Sequence, residues 1–195
     1  MEYNIVTLQD KVKELLPKKR FLHTLGVQYT SASLAMRYEY DVQKASVAGL
    51  LHDNAKCLSD GKILELCTQY ELPISTVERN NPNLLHAKLG ACFGKMKYNI
   101  EDDEILSAIT YHTTGRPNML LLDKIVFVAD YIEPNRKQLE KLDEIRKIAF
   151  VDLDRAVYMI LDQTLSYLTE NGASKEIDEI TVETFEFYKR LLLTR

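Results

Sequence analysis

A chain of 195 residues with 46% hydrophobic and 28% charged residues has the composition of a globular protein with one well-buried core. We therefore predict a single domain over residues 1–195. The net charge is −4 and the Lys and Arg residues are spread along the chain, which argues against a nucleic-acid surface but leaves room for a small phosphorylated ligand.

The apolar residues recur with the 3.6-residue period of a helix, and alternating strand patterns are absent. The sequence predicts an all-α protein of about eight to ten helices. In chain order these are expected at residues 7–16, 20–38, 41–57, 60–71, 83–98, 102–113, 118–132, 137–149, 152–170 and 181–193. We expect three aspartates to cap helix starts: Asp41, Asp102 and Asp152. The helix at 118–132 is apolar nearly all round, so it should be buried at the centre.

The cysteines and the apolar segments of the sequence indicate where in the cell the protein is located. The three Cys residues are an odd number without a C-x-x-C spacing, and we interpret them as reduced, packed thiols. No apolar run approaches the ~20 residues that cross a bilayer, and the N-terminal residues lack the pattern of a signal peptide. We expect a cytoplasmic protein with no membrane partner.

Every histidine in the chain directly follows an apolar residue. These are His23, His52, His86 and His112, and His52 is followed at once by Asp53. Any one of them is more often a buried histidine with a structural partner than a metal ligand. That alternative weakens because all four share the setting, and each buried imidazole would need its own partner.

Asp130 lies inside the central predicted helix, within the run Phe-Val-Ala-Asp-Tyr-Ile. An ionised carboxylate in such surroundings is costly unless it is paired or bound to a metal. One alternative is an ion pair with Arg136. The candidate metal ligands are His23, His52, Asp53 and Asp130. This mixed nitrogen and oxygen set has no thiolate, so it suits Fe, Mn, Zn, Co or Mg.

His86 and His112 are candidates for a second metal bridged by Asp53, or for phosphate contacts. Several cations adjoin the candidate ligands. Lys56 is predicted on the same helical face as His52 and Asp53, unless it only stabilises a helix end. Arg20, Arg116 and Arg136 each adjoin a ligand segment. Any one of these arginines alone is more often a solvated surface cation, but together they favour a phosphate site.

The order His23 … His52-Asp53 … Asp130 resembles the H…HD…D signature of the HD-domain metal-dependent phosphohydrolases, an all-helical superfamily. The local motifs are similar to those of the YqeK-type symmetrical dinucleoside tetraphosphate hydrolases over residues 18–170. They are Arg20-Phe-Leu-His23, Leu51-His-Asp-Asn-Ala-Lys56, Leu85-His-Ala87, Tyr111-His-Thr-Thr-Gly-Arg-Pro117 and Ala129-Asp-Tyr-Ile-Glu-Pro-Asn-Arg136.

This resemblance implies hydrolysis of diadenosine tetraphosphate to two ADP at an iron-containing site. It implies that the metal ligands are His23, His52, Asp53 and Asp130. It implies phosphate and nucleotide contacts at Arg20, Asn54, Lys56, His86, His112, Thr113 and Arg136. After Gly172 the chain departs from the family pattern, so the resemblance does not extend to base and ribose recognition.

The predicted reaction is attack of a metal-activated water on an inner phosphorus, with Asp53, His86, His112 and Lys56 taking direct part. Two alternatives stay open. One is an HD-type nucleotidase, deoxynucleotide phosphohydrolase or phosphodiesterase, and the other is a non-catalytic nucleotide-binding module. The native metal, the choice between one and two ions, the base preference and the existence of a homodimer are also left open.

Overall fold

The computed structural model describes residues 3–170 and 177–195. Within these ranges there are eleven α-helices, one 3-10 helix and no strand, which confirms the all-α prediction. The α-helices are α1 (Ile5–Leu15), α2 (Lys18–Arg37), α3 (Val42–Leu51), α4 (Asp60–Gln69), α5 (Thr76–Asn80), α6 (His86–Tyr98), α7 (Asp103–Tyr111), α8 (Leu121–Ile132), α9 (Leu142–Ala149), α10 (Leu153–Glu170) and α11 (Glu179–Leu193). The 3-10 helix is Pro82–Leu85.

The ten predicted helices are all present, and the structure adds one short helix, α5, in the described ranges. Its five residues are too few to show a helical period in the sequence. A capping box starts it: Ser75 accepts a hydrogen bond from the backbone of Glu78, and Glu78 accepts one from the backbone of Ser75. Buried Glu78 also pairs with Lys88 of α6, at 2.7 Å, so tertiary contacts hold α5 in place.

The predicted helix over 41–57 was wrong at its end. Helix α3 stops at Leu51, and residues 52–57 form tight turns, with the amide of Asn54 bonded to Leu51 and that of Lys56 bonded to Asp53. Lys56 therefore does not share a helical face with His52 and Asp53. Three successive polar side chains, at 52, 53 and 54, are all buried here. A regular helix points successive side chains about 100° apart, so it could bury all three only if it were covered nearly all round.

The observed starts of two other helices differ from the predicted starts by a few residues. Helix α9 begins at Leu142 rather than 137, and α11 begins at Glu179 because Asp178 caps it. The caps predicted at Asp41 and Asp102 are confirmed, and Asp152 accepts a hydrogen bond from the amide of Arg155 at the start of α10.

Helix α8 lies at the centre, as the sequence predicts, and contacts α2, α3, α7, α9 and α10. Its residues Ile125, Val126, Val128 and Ala129 are completely buried. Helices α2 and α3 cross closely where Gly49 faces Ser31. This packing brings one end of α3, α7 and α8 beside the first turns of α2 and α6, where all the candidate ligands lie. In the described ranges, no helix combines the length and the apolar content that crossing a bilayer requires.

Candidate active site

Six polar side chains from five separate segments meet at this end of the bundle. They are His23 from α2, His52 and Asp53 from the turn after α3, His86 from the start of α6, His112 from the end of α7, and Asp130 from α8. His52, Asp53, His86 and His112 are buried, and His23 and Asp130 are partly exposed. The six residues that the sequence singled out as ligands or their neighbours therefore form one cluster.

Asp53 stands between two groups of imidazoles. Its Oδ2 lies 3.4 Å from Nε2 of His52 and 3.7 Å from Nε2 of His23. Its Oδ1 lies 3.3 Å from Nε2 of His86 and 3.8 Å from Nε2 of His112. One carboxylate that faces a different group of imidazoles with each oxygen is suited to bridging two cations.

Three of the histidine rings are oriented by the same local hydrogen bond. Nδ1 of His52 donates to the carbonyl of Gly49 at 2.7 Å, and Nδ1 of His112 donates to that of Ile109 at 2.7 Å. Nδ1 of His86 donates to the carbonyl of Asn83 at 2.5 Å. Because Nδ1 carries the hydrogen, Nε2 of each neutral ring keeps its lone pair and faces the cluster, as a metal-ligating imidazole requires.

Several of these ring nitrogens lack a suitable partner within the protein. The buried Nε2 of His52 has no hydrogen bond, although Oδ1 of Asp130 lies 3.8 Å away. Nε2 of His86 and Nε2 of His112 face each other at 3.1 Å, and two lone pairs at that distance need a proton or a cation between them. Buried polar atoms are normally satisfied, so these residues fit a bound cation.

Two sets of three residues, which differ from the two groups of imidazoles around Asp53, have ligand atoms close enough together to bind one ion. His23, His52 and Asp130 form one set, and His52, Asp53 and His112 form the other, with the atoms of each within 4.8 Å of one another. In the first set, Nε2 of His23 lies 3.0 Å from Oδ1 of Asp130. Both sets contain only imidazole and carboxylate, the chemistry that suits Fe, Mn, Zn or Co.

The charges in the cluster keep both aspartates ionised. Burial alone would raise the pKa of Asp53, but its contacts with His52 and His86 hold that pKa well below its usual range. Burial likewise opposes ionisation of Asp130, but its close contact with His23 and the charges of His52 and Arg136 hold its pKa low.

The same surroundings shift the pKa values of two imidazoles, those of His52 and His112, in opposite directions. Burial disfavours the charged form of His52, but the Asp53 carboxylate outweighs it, so the pKa of His52 is raised. Burial together with the nearby His52 and His86 lowers the pKa of His112 to about 3. His112 is therefore a neutral imidazole at neutral pH, with a lone pair for a cation or a donor group.

Glu133 was not predicted as a site residue, and it is the hydrogen-bond partner of the fourth imidazole, that of His23. Its buried carboxylate accepts a hydrogen bond from Nδ1 of His23 at 3.0 Å and another from the amide of Asn135 at 2.6 Å. This carboxylate–histidine contact directs Nε2 of His23 to the cluster. A side chain at Gly26 would collide with Glu133. One signal was available: a glycine one turn after His23, and an acidic residue one turn after Asp130.

Three of the predicted cations border the cluster. Nη1 of Arg20 donates to Oδ2 of Asp53 at 2.8 Å, and Nη1 of Arg136 lies 3.8 Å from Oδ1 of Asp130. Nζ of Lys56 lies 3.4 Å from Nδ1 of His86, and burial lowers the pKa of Lys56. Thr113 is also adjacent, since its hydroxyl donates to Nε2 of His112 at 3.2 Å. All four side chains therefore lie beside the cluster.

Asn54 and Arg116 have other partners. Nδ2 of Asn54 donates to the backbone carbonyl of Gly90 at 3.0 Å, which ties the turn after α3 to α6. Arg116 pairs with buried Asp123 at 2.9 Å and lies over the ring of Tyr111. Substrate contacts by these two residues therefore stay predictions. The chain from Gly172, where the family pattern is lost, begins within residues 171–176, which lie outside the described residues.

Comparison with known proteins relates this cluster to one family. Residues 20–135 match the model of the HD domain. The chain is 40% identical to the symmetrical bis(5'-nucleosyl)-tetraphosphatase of Halalkalibacterium halodurans over 93% of this chain and 94% of the relative. It is 38% identical to the protein of the same name from Bacillus subtilis, over 83% of this chain and 86% of the relative.

A solved structure extends the likeness to the fold. A crystal structure from Clostridium acetobutylicum, described as that of a predicted HD superfamily hydrolase involved in NAD metabolism, superposes with a TM-score of 0.92 at 38% identity. The match covers 98% of this chain and all of that one.

Proposed function

This chain belongs to the HD domain family, and on that basis we propose that it hydrolyses dinucleoside tetraphosphates symmetrically, converting diadenosine tetraphosphate and water into two ADP. The observation that carries the proposal is the convergence of four imidazoles and two carboxylates from five segments on one point, where the buried Nε2 atoms of His23 and His52 have no hydrogen bond. Its relatives of 38% and 40% identity are named for the same reaction.

The proposed metal ligands are His23, His52, Asp53 and Asp130, with His86 and His112 available to a second ion. A contact of either ring with a phosphate oxygen would require a proton on its Nε2, because a phosphate oxygen is an acceptor. A divalent cation bound here would act as a Lewis acid and lower the pKa of the attacking water towards ~7. We propose iron as the native metal, which the imidazole and carboxylate donors support.

The remaining residues supply charge and orientation for the phosphates. Arg20, Arg136 and Lys56 border the cluster and would neutralise the phosphate oxygens as negative charge grows on them. The hydroxyl of Thr113, 3.2 Å from Nε2 of His112, would orient that ring or donate to a phosphate oxygen. The bond that breaks joins an inner phosphorus to the central bridging oxygen, and ADP departs as a stable anion.

The proposal also includes the cellular location of the protein and the kind of partner that it binds. The three cysteines are free thiols, which supports a cytoplasmic location where thiols stay reduced. The substrate is a small nucleotide, and the net charge of −4 supports the absence of a nucleic-acid partner.

The first experiment replaces the residue at the centre of the cluster. We expect Asp53→Ala to abolish hydrolysis of diadenosine tetraphosphate, because it removes the carboxylate that faces both groups of imidazoles. Circular dichroism should show an unchanged helical content. The matched control is Asp10→Ala, on the exposed face of α1, which should keep full activity. Normal turnover by Asp53→Ala would overturn the assignment.

The second experiment identifies the products. The protein loaded with Fe²⁺ or Mn²⁺ is incubated with diadenosine tetraphosphate, and the nucleotides are separated by chromatography. ADP as the sole nucleotide product is expected. ATP together with AMP would contradict symmetrical cleavage. Release of nucleosides or phosphate from mononucleotides instead would favour the nucleotidase alternative.

A further inference from the structure

A groove that opens against the metal cluster is rich in cations. It has a volume of about 790 Å³ and lies between the start of α2 and the segment that follows α8. His23 and Glu133 are part of its wall, so the groove reaches the cluster directly. Four further positive side chains line it: Lys19, Arg20, Arg136 and Lys137.

This positive charge is unusual for the molecule, whose net charge is −4. Three other grooves on the described surface contain more acidic than basic side chains. In the basic groove the one acidic side chain is Glu133, which is buried and paired with His23. Clustered cations in a concave wall raise the local concentration of an anionic ligand.

The four cations of the groove differ in whether they contact a carboxylate of the protein. Arg20 contacts Asp53, and Arg136 lies 3.8 Å from Asp130, so both belong to the inner end of the groove. Lys19 and Lys137 are exposed, and neither forms an ion pair with a carboxylate of the described residues. These two lysines are free to bind an anion, and the active site as described above does not use them.

The groove also has an apolar part. Leu22 and Leu139 belong to its wall, and they are 47% and 38% exposed. Large aliphatic side chains beside a cluster of cations suit a ligand with a flat apolar ring at one end and phosphates at the other. A nucleoside diphosphate has this composition.

The proposed reaction requires two places for nucleotides, because its substrate has two equal halves that meet at the bond to be cleaved. We propose that the basic groove binds the second nucleoside diphosphate of the substrate, with Lys19 and Lys137 on its phosphates and Leu22 and Leu139 beside its base. The first half lies on the other side of the cluster, near Lys56 and Thr113. This inference rests on the proposed function and adds the second binding subsite to it.

The direct test counts bound ADP. Equilibrium dialysis of the metal-loaded 195-residue chain should find two ADP molecules per chain. In the double variant Lys19→Ala/Lys137→Ala, one of the two sites should weaken by about tenfold or more, because two charge-assisted contacts are lost. The matched control is Lys11→Ala/Lys13→Ala, which removes the same charge from exposed positions of α1 outside the groove.

Kinetics provide the second readout. For diadenosine tetraphosphate, the groove variant should raise KM by about tenfold and change kcat by less than about twofold, since neither lysine forms an ion pair with the carboxylates of the cluster. Its KM should also depend less on salt than that of the unaltered protein. The control variant should retain both constants.

Failure of the subsite and failure of the function are distinguishable. One ADP per chain in the unaltered protein, or two ADP with unchanged affinities and an unchanged KM in the groove variant, would overturn the subsite even if ADP is the product. An absence of ADP production from diadenosine tetraphosphate would overturn the proposed function, and the dialysis would still report whether the groove binds a nucleoside diphosphate.

Discussion

At the residue scale, each histidine of the cluster has one ring nitrogen occupied by a neighbouring acceptor. For His52, His86 and His112 the acceptor is a backbone carbonyl three residues earlier. For His23 it is the carboxylate of Glu133, from a segment 110 residues away in the chain. The common result is a lone pair on Nε2 that faces the cluster, so the rings are oriented before an ion arrives.

Glu133 provides a test of this orientation. We expect Glu133→Gln to weaken metal binding by about 10–100-fold, the usual effect of losing such a supporting carboxylate. A glutamine amide can donate to Nδ1 of His23 and move the ring hydrogen to Nε2, which removes the lone pair that a metal needs. Mn²⁺ titration followed by calorimetry would measure the affinity. Glu140→Gln, an exposed neighbour, should bind Mn²⁺ normally, and equal affinity in both variants would contradict the role of Glu133.

Protons and metal ions should compete for the same nitrogens. Because the pKa of His52 is raised, its Nε2 takes up a proton as the pH falls, and a metal must displace that proton. Metal affinity is therefore expected to decrease as the pH is lowered through the pKa of His52. Calorimetry in buffers of different ionisation enthalpy should detect proton release on Mn²⁺ binding near that pKa. No proton release at any pH would contradict this expectation.

At the element scale, the close crossing of α2 and α3 sets the position of the turn that contains His52 and Asp53. Gly49 allows this crossing, because a Cβ there would lie 2.7 Å from Oγ of Ser31 and 3.1 Å from Cα of Gln28. The carbonyl of Gly49 also accepts the hydrogen bond from His52. Gly49 therefore contributes both to the packing of α2 against α3 and to the orientation of the His52 ring.

We expect Gly49→Ala to lower the free energy of unfolding by about 1–3 kcal/mol, the usual cost of forcing extra atoms into a packed interface. The measurement is urea unfolding followed by circular dichroism. Gly61→Ala in α4 is the matched control: nothing lies within 4 Å of its Cβ, so alanine should stabilise the helix by up to about 1 kcal/mol. Equal effects of the two substitutions would show that the crossing at Gly49 tolerates a side chain.

At the scale of the whole molecule, one cation would connect segments that span residues 23 to 130 of the chain. The unfolded chain cannot bring these ligands together, so the metal binds the native state and stabilises it. The stabilisation should be about 2.7 kcal/mol when the free metal is at 100 times its dissociation constant. For a chain of this length, that corresponds to a rise in Tm on the order of 5–10 °C.

Thermal unfolding with and without Mn²⁺ would measure this rise, and a chelator should reverse it. The Asp53→Ala variant should show a smaller shift, because it lacks the carboxylate between the two groups of imidazoles. An unchanged Tm in the unaltered protein at saturating Mn²⁺ would contradict metal binding by the native cluster.

The sequence by itself determined the helical class, the central position of α8 and the identities of the six clustered side chains. These followed from local properties: the 3.6-residue period, the apolar surroundings of Asp130, and four histidines that each follow an apolar residue. The motifs around His52 and Asp130 added the family. Such signals can be detected along the chain without any knowledge of how the helices pack.

Only the tertiary structure decided which partner each buried group meets. The end of α3 at Leu51, the contact between His23 and Glu133, the pairing of Arg116 with Asp123 and the groove beside Lys19 and Lys137 could not be predicted. The physical reason is distance along the chain. A side chain's burial is indicated by its neighbours in sequence, whereas its hydrogen-bond partner depends on helices far apart in the chain that packing brings within about 3 Å.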